Sequence, residues 1–128
     1  RVETWERYEA LKKMLETEAE LLKETMINGR PICTYKLKEP IRYEAREIWV
    51  LELPAPKDGS PHKEWFEHVE FVIDTSFEAF MQRYPHITFD TKAIGKAINP
   101  DIGIDYDRAR VKFHHNSLEY VVKYLERD

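Results

Sequence analysis

Apolar residues recur along the chain with two different spacings, and each spacing predicts a different kind of element. Near the start they fall three or four positions apart, as on one face of an α-helix: Trp5, Tyr8, Leu11 and Leu15. Thr4 precedes this run and is a favourable N-cap residue. The pattern therefore predicts a helix from about Trp5 to Glu16.

Segments rich in strand-forming residues follow this helix. Asn28-Gly29 is the strongest hairpin signal in the sequence, and it predicts strands from about Leu21 to Ile27 and from about Pro31 to Lys38. Glu39-Pro40 is expected to end the second strand, because proline has no N–H to donate to a ladder. A third strand is predicted from Glu47 to Leu53.

A connector rich in proline, from Pro54 to Pro61, separates this half from the second. The second half opens with a predicted strand from Glu64 to Ile73 and a short helix, capped by Ser76, over residues 77–84. A short strand is then predicted over 86–91, followed by an irregular stretch over 91–100. Two further strands, from Ile102 to Tyr106 and from Ala109 to His115, are predicted on either side of an Asp107-Arg108 turn. A final helix is predicted over 118–126.

The two halves have a similar order of elements, which predicts the architecture. We expect an α+β fold in a single domain, 1–128, made of two βαβββ modules. Module one covers about 1–56, the connector about 54–63 and module two about 64–128. The opening strand of module one is expected to lie before Arg1.

The composition narrows the class of protein. Its 20 Lys and Arg against 24 Asp and Glu give a net charge of −4, which argues against a nucleic-acid partner. No segment approaches the roughly 20 apolar residues of a membrane span. Cys33 is the one cysteine of the sequence, and we expect it to be a small buried residue. A single cysteine is also typical of a reducing compartment, so we expect a cytoplasmic protein. We expect the protein to bind a small-molecule ligand and to be a monomer or a homodimer.

Three predicted strands carry ionisable side chains on one face and apolar side chains on the other. Because strand side chains alternate between faces, the polar sets are Glu52 alone, His68 with Glu70, and Arg110 with Lys112 and His114. A half-exposed sheet whose polar face meets water gives the same pattern. The residue types favour another interpretation, because imidazole and carboxylate are ligands of Zn, Fe, Mn and Ni.

In that interpretation the sheet curls and its polar face lines a cavity. Glu52, His68 and His114 then converge as ligands of a divalent metal ion, and Glu70 is a further ligand or an acid–base group. Arg30, which follows the hairpin turn, is either a solvated turn residue or an anion-binding group at the mouth of the cavity.

Four segments carry a family resemblance: MINGRPICTYKLKEPI, LELPAP, PHKEWFEHVEFVI and INPDIGIDYDRARVKFHHNSLEYVV. In this order and spacing, over about Val2 to Val122, they resemble the YecM family. That family is similar to the vicinal oxygen chelate superfamily, which includes glyoxalase I, bleomycin-resistance proteins and extradiol dioxygenases. The resemblance implies curved mixed sheets that form an open half-barrel cavity around a divalent metal ion.

The resemblance also implies which strands supply the metal ligands. Glu52 matches the last strand of module one, and His68 matches the first strand of module two. His114 lies on the last strand of module two, where superfamily enzymes commonly have a carboxylate. A further His is expected before Arg1, in a segment resembling DHI.

Three functional hypotheses follow. In the first, the chain is an isomerase, lyase or dioxygenase for a small oxygen-rich molecule, and a divalent ion (Zn, Mn, Fe or Ni) holds two substrate oxygens. Glu70 or Glu52 moves the proton, and Arg30 or Lys112 binds a substrate carboxylate. In the second, the same cavity binds or sequesters a small molecule without metal or catalysis. The third is a structural or regulatory protein whose polar groups pair with each other.

Overall fold

Thr4 begins the first helix, as the sequence predicts. In this computed structural model, which describes residues 1–59, 63–107 and 109–126, the Thr4 hydroxyl accepts a hydrogen bond from the backbone N–H of Arg7 at 3.1 Å. Helix α1 is Trp5–Glu18, so it is two residues longer than predicted. Ala19 follows with extended backbone and starts the first strand.

The chain divides into two compact units, and the first, Arg1–Trp65, holds α1 and an antiparallel sheet. Its strands lie in the order β1 (Ala19–Ile27), β2 (Arg30–Tyr43) and β3 (Arg46–Pro54). Asn28 and Gly29 join β1 to β2 with φ values of 51° and 78°. These left-handed conformations are those of a tight hairpin turn, so the predicted hairpin is confirmed.

The predicted end of the second strand at Glu39-Pro40 is wrong, because β2 continues to Tyr43. The register between β2 and β3 shifts between Lys36 and Ile41, so Pro40 falls in an irregular segment outside the regular ladder. A proline there withholds no ladder hydrogen bond, which is why a strand can run through it.

The core of the first unit packs α1 against its sheet. The buried apolar residues are Val2, Tyr8, Leu15, Ala19, Cys33, Tyr35, Leu37, Leu53 and Ala55. Cys33 is 0% exposed, and its sulfur lies 3.4 Å from the Tyr8 hydroxyl. Burial, followed by the contact with Cys33, raises the pKa of Tyr8 well above its usual value. The expectation of a buried Cys33 is confirmed.

The second unit, Phe66–Asp128, holds a mixed sheet and short helices. Its elements are β4 (His68–Val72), α2 (Phe77–Gln82), β5 (Asp101–Tyr106), β6 (Ala109–His114), α3 (Leu118–Tyr120) and a π-helical turn (Val121–Leu125). The strand order is β4-β6-β5. Strand β6 runs parallel to β4 and antiparallel to β5, so it is flanked on both sides.

Several predicted bounds in this unit need correction. The strand predicted from Glu64 begins only at His68, because Trp65 exchanges backbone hydrogen bonds with Arg1 instead of joining the sheet. The strand predicted over 86–91 is wrong: Asp90 alone forms a bridge, to Gly103, and its carboxylate then accepts a hydrogen bond from Lys92 N–H and turns the chain.

The helix predicted over 77–84 ends at Gln82, and the helix predicted over 118–126 is α-helical only to Tyr120 and π-helical from Val121–Leu125. The irregular stretch over 91–100 is confirmed. Residues 60–62 of the connector and Arg108 of the predicted turn lie outside the described residues.

The sheet of the second unit has one apolar face, which α2 covers. Phe71 and Phe113 are neighbours on β4 and β6, with ring centroids 5.9 Å apart. Phe80 of α2 packs on Phe113 at 4.6 Å, and Phe89 lies beside both rings. Ile102, opposite Phe113 on β5, is completely buried. The opposite face therefore holds the polar side chains.

The α+β class is confirmed, and each unit combines helix with sheet as expected. The open half-barrel cavity stays a prediction. Across residues 1–59, 63–107 and 109–126, no helix combines the length and apolar composition needed to cross a membrane.

Replacing Thr4 by Ala is expected to lower the free energy of unfolding of the first unit by about 1 kcal/mol, because the Arg7 N–H loses its capping acceptor. Urea unfolding followed by tryptophan fluorescence measures this, since Trp5, Trp49 and Trp65 all lie in the first unit. Thr4→Ser keeps the hydroxyl and should behave as the wild type. Equal losses in both variants would mean that the cap contributes nothing.

Candidate functional site

The candidate site is the polar face of the sheet in the second unit. Cross-strand partners share a face in a sheet, so the register places the following residues together: His68 and Glu70 on β4, Arg110, Lys112 and His114 on β6, and Asp101, Gly103 and Asp105 on β5. We call this set the polar face. Most of it follows from the predicted alternation of β4 and β6.

Glu70 is the meeting point of three cationic or potentially cationic groups on this face. Its Oε2 lies 3.5 Å from Nε2 of His114, and its Oε1 lies 3.8 Å from Nζ of Lys112. Burial alone would raise the pKa of Glu70, but His114, then Lys112 and His68, together lower it below its usual value. Glu70 is therefore a carboxylate at neutral pH.

His114 is the least exposed of the side chains that surround Glu70. The residue is 4% exposed, and neither ring nitrogen has a hydrogen-bond partner of good geometry among the described residues. The 3.5 Å separation from Glu70 is an ion-pair distance and is long for a hydrogen bond. Buried polar atoms are nearly always satisfied, so these nitrogens can accept a partner beyond those that the described residues supply.

The pair formed by His114 and Glu70 has the chemistry of a metal-binding site. Metal–nitrogen and metal–oxygen bonds of about 2.0–2.2 Å place two ligands of a tetrahedral site roughly 3.4 Å apart. The observed 3.5 Å matches that spacing. Within the described ranges, however, no group of three or more His, Cys, Asp or Glu side chains is assembled as a ligand set. Among the described residues, two donor atoms therefore have the spacing of metal ligands, His114 Nε2 and Glu70 Oε2.

The comparison with known proteins identifies the family. The family model described as "YecM protein" matches residues 1–98, which is most of the chain. The chain belongs to the YecM family.

Individual relatives agree with this membership. The chain is 34% identical over 119 residues to "Protein YecM" of Escherichia coli (strain K12), a match that covers 80% of this chain and 63% of that protein. It is 32% identical over 53 residues to an uncharacterized protein of Haemophilus influenzae, covering 41% of this chain and 28% of that one. The chain thus spans 63% of the length of the Escherichia coli relative.

A solved structure described as "Structural Genomics, Protein EC4020" has the same fold. It superposes with a TM-score of 0.75 at 32% identity, covering 99% of this chain and 73% of the other. The α+β architecture of this YecM-family chain therefore has a solved counterpart.

Of the predicted site residues, the structure brings Glu70, Lys112 and His114 of this YecM-family chain together within the second unit. His68 lies at the start of β4, on the same face and directly opposite Arg110. Glu52 and Arg30 belong to the first unit. Glu52 is an exposed residue opposite Thr34, and Arg30 donates a hydrogen bond to the carbonyl of Ala55 at 3.0 Å.

Sequence reasoning missed a second cluster on the polar face, centred on Arg110. Its guanidinium donates to Asp105 at 2.8 Å and to Asp90 at 3.1 Å. It lies so close to Gly103 that a Cβ there would fall 2.4 Å from Nη2. The available signal was Gly103 itself, because glycine inside a strand often marks a close approach of another group.

Arg110 and Gly103 are expected to be energetically coupled. In the wild type, Arg110→Met should lower the urea midpoint of the second unit, because the ion pairs with Asp90 and Asp105 are lost. In a Gly103→Ala background the guanidinium is already displaced, so the same change should cost less than about half as much. Circular dichroism of the four proteins measures the coupling. Additive losses would contradict the packing of Arg110 over Gly103.

Proposed function

We propose that this YecM-family chain carries the site of a divalent-metal-dependent enzyme, of the isomerase, lyase or dioxygenase type, that acts on a small oxygen-rich molecule. The observation that supports it is His114, a buried imidazole whose ring nitrogens lack hydrogen-bond partners among the described residues and which faces a carboxylate at 3.5 Å. The resemblance to the vicinal oxygen chelate superfamily is consistent with such chemistry.

In this proposal the residues of the polar face have separate tasks. His114 Nε2 and Glu70 Oε2 hold the ion, and His68 is the third candidate ligand from the same face. A divalent ion held there would supply Lewis-acid activation of substrate oxygens. Glu52 and Arg30 stay predictions, as a ligand or proton carrier and as an anion-binding group.

Lys112 and the second oxygen of Glu70 would act on the substrate. The Lys112 ammonium, 3.8 Å from Glu70 Oε1, is placed to bind a substrate carboxylate beside the reacting atoms. Glu70 is a carboxylate at neutral pH and can accept a proton from carbon or oxygen of the substrate. The cytoplasmic location proposed for the protein agrees with its one cysteine.

A second candidate function is metal-free binding of a small anionic molecule on the same face. The observation that favours it is Lys112, because an ammonium 3.8 Å from Glu70 already balances the carboxylate and opposes a second cation beside it. In this case Lys112 and His114 would bind the anion and Glu70 would hold Lys112 in place.

Metal analysis of the purified full chain separates the two candidates. After incubation with Zn, Mn, Fe or Ni and removal of excess metal, we expect about one ion per chain in the wild type. We expect a loss of at least about tenfold in affinity in His68→Ala and Glu70→Gln. His86→Ala is the matched control, since His86 is exposed and lies in a turn outside the strands.

Failure of all four metals to bind would overturn the enzyme proposal. Binding of a small dicarboxylate probe such as malonate, lost in Lys112→Met but independent of metal, would then support the second candidate. Retention of metal in both ligand variants would place the ion elsewhere and contradict the assignment.

A further inference from the structure

Asp101 is a nearly buried carboxylate on the polar face, beside His114. Strand β5 pairs antiparallel with β6 and places Asp101 directly opposite His114. The two side chains therefore share a face, and their Cβ atoms are about 4.5–5.5 Å apart. Both residues are 4% exposed. A side-chain acceptor is thus enclosed next to the imidazole that the proposed metal site uses.

One oxygen of the Asp101 carboxylate is available for a further hydrogen bond. Its Oδ2 accepts a hydrogen bond from the Lys96 ammonium at 2.8 Å, which supplies the countercharge that a buried carboxylate needs. Within residues 63–107 and 109–126, Oδ1 has no hydrogen bond. Each oxygen of a carboxylate can accept hydrogen bonds, so Oδ1 can take a donor while Lys96 holds Oδ2.

The ring nitrogen of His114 that needs an acceptor is Nδ1. Its Nε2 faces Glu70 Oε2 at 3.5 Å, where the ion is proposed to bind. A neutral imidazole that gives its Nε2 lone pair to a metal ion carries its proton on Nδ1. That N–H is buried, and buried N–H groups are nearly always paired. Metal-bound histidines usually donate it to a carboxylate or a backbone carbonyl.

The sheet neighbours of His114 point to Asp101 as this acceptor. On β4 the partner of His114 is Val72, which has no polar side-chain atom, and Glu70 faces Nε2. On β5 the partner is Asp101, and the next residue on the polar face is Gly103, which has no side chain. The last torsion of an aspartate side chain is broad, so the carboxylate can turn Oδ1 toward Nδ1.

We propose that Asp101 is the positioning residue of His114. When Nε2 binds the ion, Asp101 Oδ1 accepts the hydrogen bond from Nδ1–H, which fixes the tautomer and the orientation of the ring. Lys96 holds the other oxygen of the carboxylate in place. This inference rests on the function proposed for His114 and Glu70.

Two substitutions separate the acceptor from the ion pair. Asp101→Ala removes both, whereas Lys96→Met removes the ion pair and keeps the acceptor. In zinc titrations of the full chain, we expect Asp101→Ala to weaken binding by at least about tenfold, because the ring is no longer held. Lys96 is half exposed, and we expect Lys96→Met to weaken binding by less than about threefold.

Nitrogen NMR of the same proteins follows the proton itself. The ring signals of His114 are assigned as those missing from His114→Leu and are followed during the zinc titration. In the zinc-bound wild type and Lys96→Met we expect a Nδ1–H proton shifted downfield by its hydrogen bond to a carboxylate. Asp101→Ala should lose this shift, which a purely structural role of Asp101 would leave unchanged.

Asp101→Asn is the second variant, because it keeps the size of the side chain and serves if circular dichroism shows that Asp101→Ala is unfolded. An amide carbonyl is a weaker acceptor than a carboxylate, so it should bind zinc more weakly than the wild type and move the Nδ1–H proton upfield. Wild-type affinity or an unmoved Nδ1–H signal in the folded Asp101 variants would overturn the inference and leave the metal site standing. Failure of the wild type to bind Zn, Mn, Fe or Ni would overturn the proposed function, and the inference with it.

Discussion

Replacing Ile102 by Ala is expected to lower the free energy of unfolding of the second unit by about 3 kcal/mol. Ile102 is 0% exposed and lies opposite Phe113 on the face that α2 covers. Truncation removes buried methyl groups and leaves a cavity among aromatic rings that hold one another in place, so the site cannot collapse cheaply. Urea unfolding by circular dichroism gives the difference.

Ile98→Ala is the matched control for this prediction. It makes the same chemical change in the same unit, but Ile98 is 45% exposed, and we expect a loss of no more than about 0.5 kcal/mol. Hydrogen exchange of the β5 and β6 amides should show reduced protection in Ile102→Ala and wild-type protection in Ile98→Ala. Equal effects of the two variants would contradict the packing of Ile102 in the core.

The elements that sequence predicts well are those set by neighbouring residues. The hairpin at Asn28-Gly29 needs only a left-handed turn flanked by strand formers. Helix α1 needs only its cap at Thr4 and one apolar stripe. The two faces of β6 follow from strict alternation between Val111 or Phe113 and Lys112 or His114. Such signals do not depend on which strand lies alongside.

The features that sequence misses depend on register across the sheet. A bulge alongside β3 decides whether β2 can run through Pro40, and no local signal reports it. The contact between Glu70 and His114 arises from parallel pairing of β4 with β6, which aligns residues more than forty positions apart. The Arg110 cluster similarly needs Asp90 to meet Gly103 through a bridge. The residue types predict ionisable side chains on one face of β4 and β6. The pairing of the strands determines which of these side chains come into contact.

Replacing His114 by Leu is expected to separate stability from function. His114 is almost completely buried, and its contact with Glu70, 3.5 Å from Nε2 to Oε2, is longer than a good hydrogen bond, so the desolvation of the imidazole is only partly compensated. A leucine of similar size removes that cost, while Glu70 keeps its contact with Lys112. In metal-free protein we therefore expect the free energy of unfolding to rise by about 1 kcal/mol. The same change should abolish metal binding.

His115→Leu is the neighbouring comparison, because His115 has the partners that His114 lacks. Its ring stacks on Phe77 at 4.4 Å, and its Nε2 lies 2.8 Å from the Thr75 carbonyl. We expect its replacement to cost about 1 kcal/mol and to leave metal binding intact. Zinc at about 100 times its Kd should stabilise the wild type and His115→Leu by roughly 2.7 kcal/mol, and His114→Leu not at all. A different result would be that His114→Leu destabilises the metal-free protein as much as His115→Leu does. The ring nitrogens of His114 would then have hydrogen-bond partners in the metal-free protein, which would contradict the proposed metal ion at Glu70.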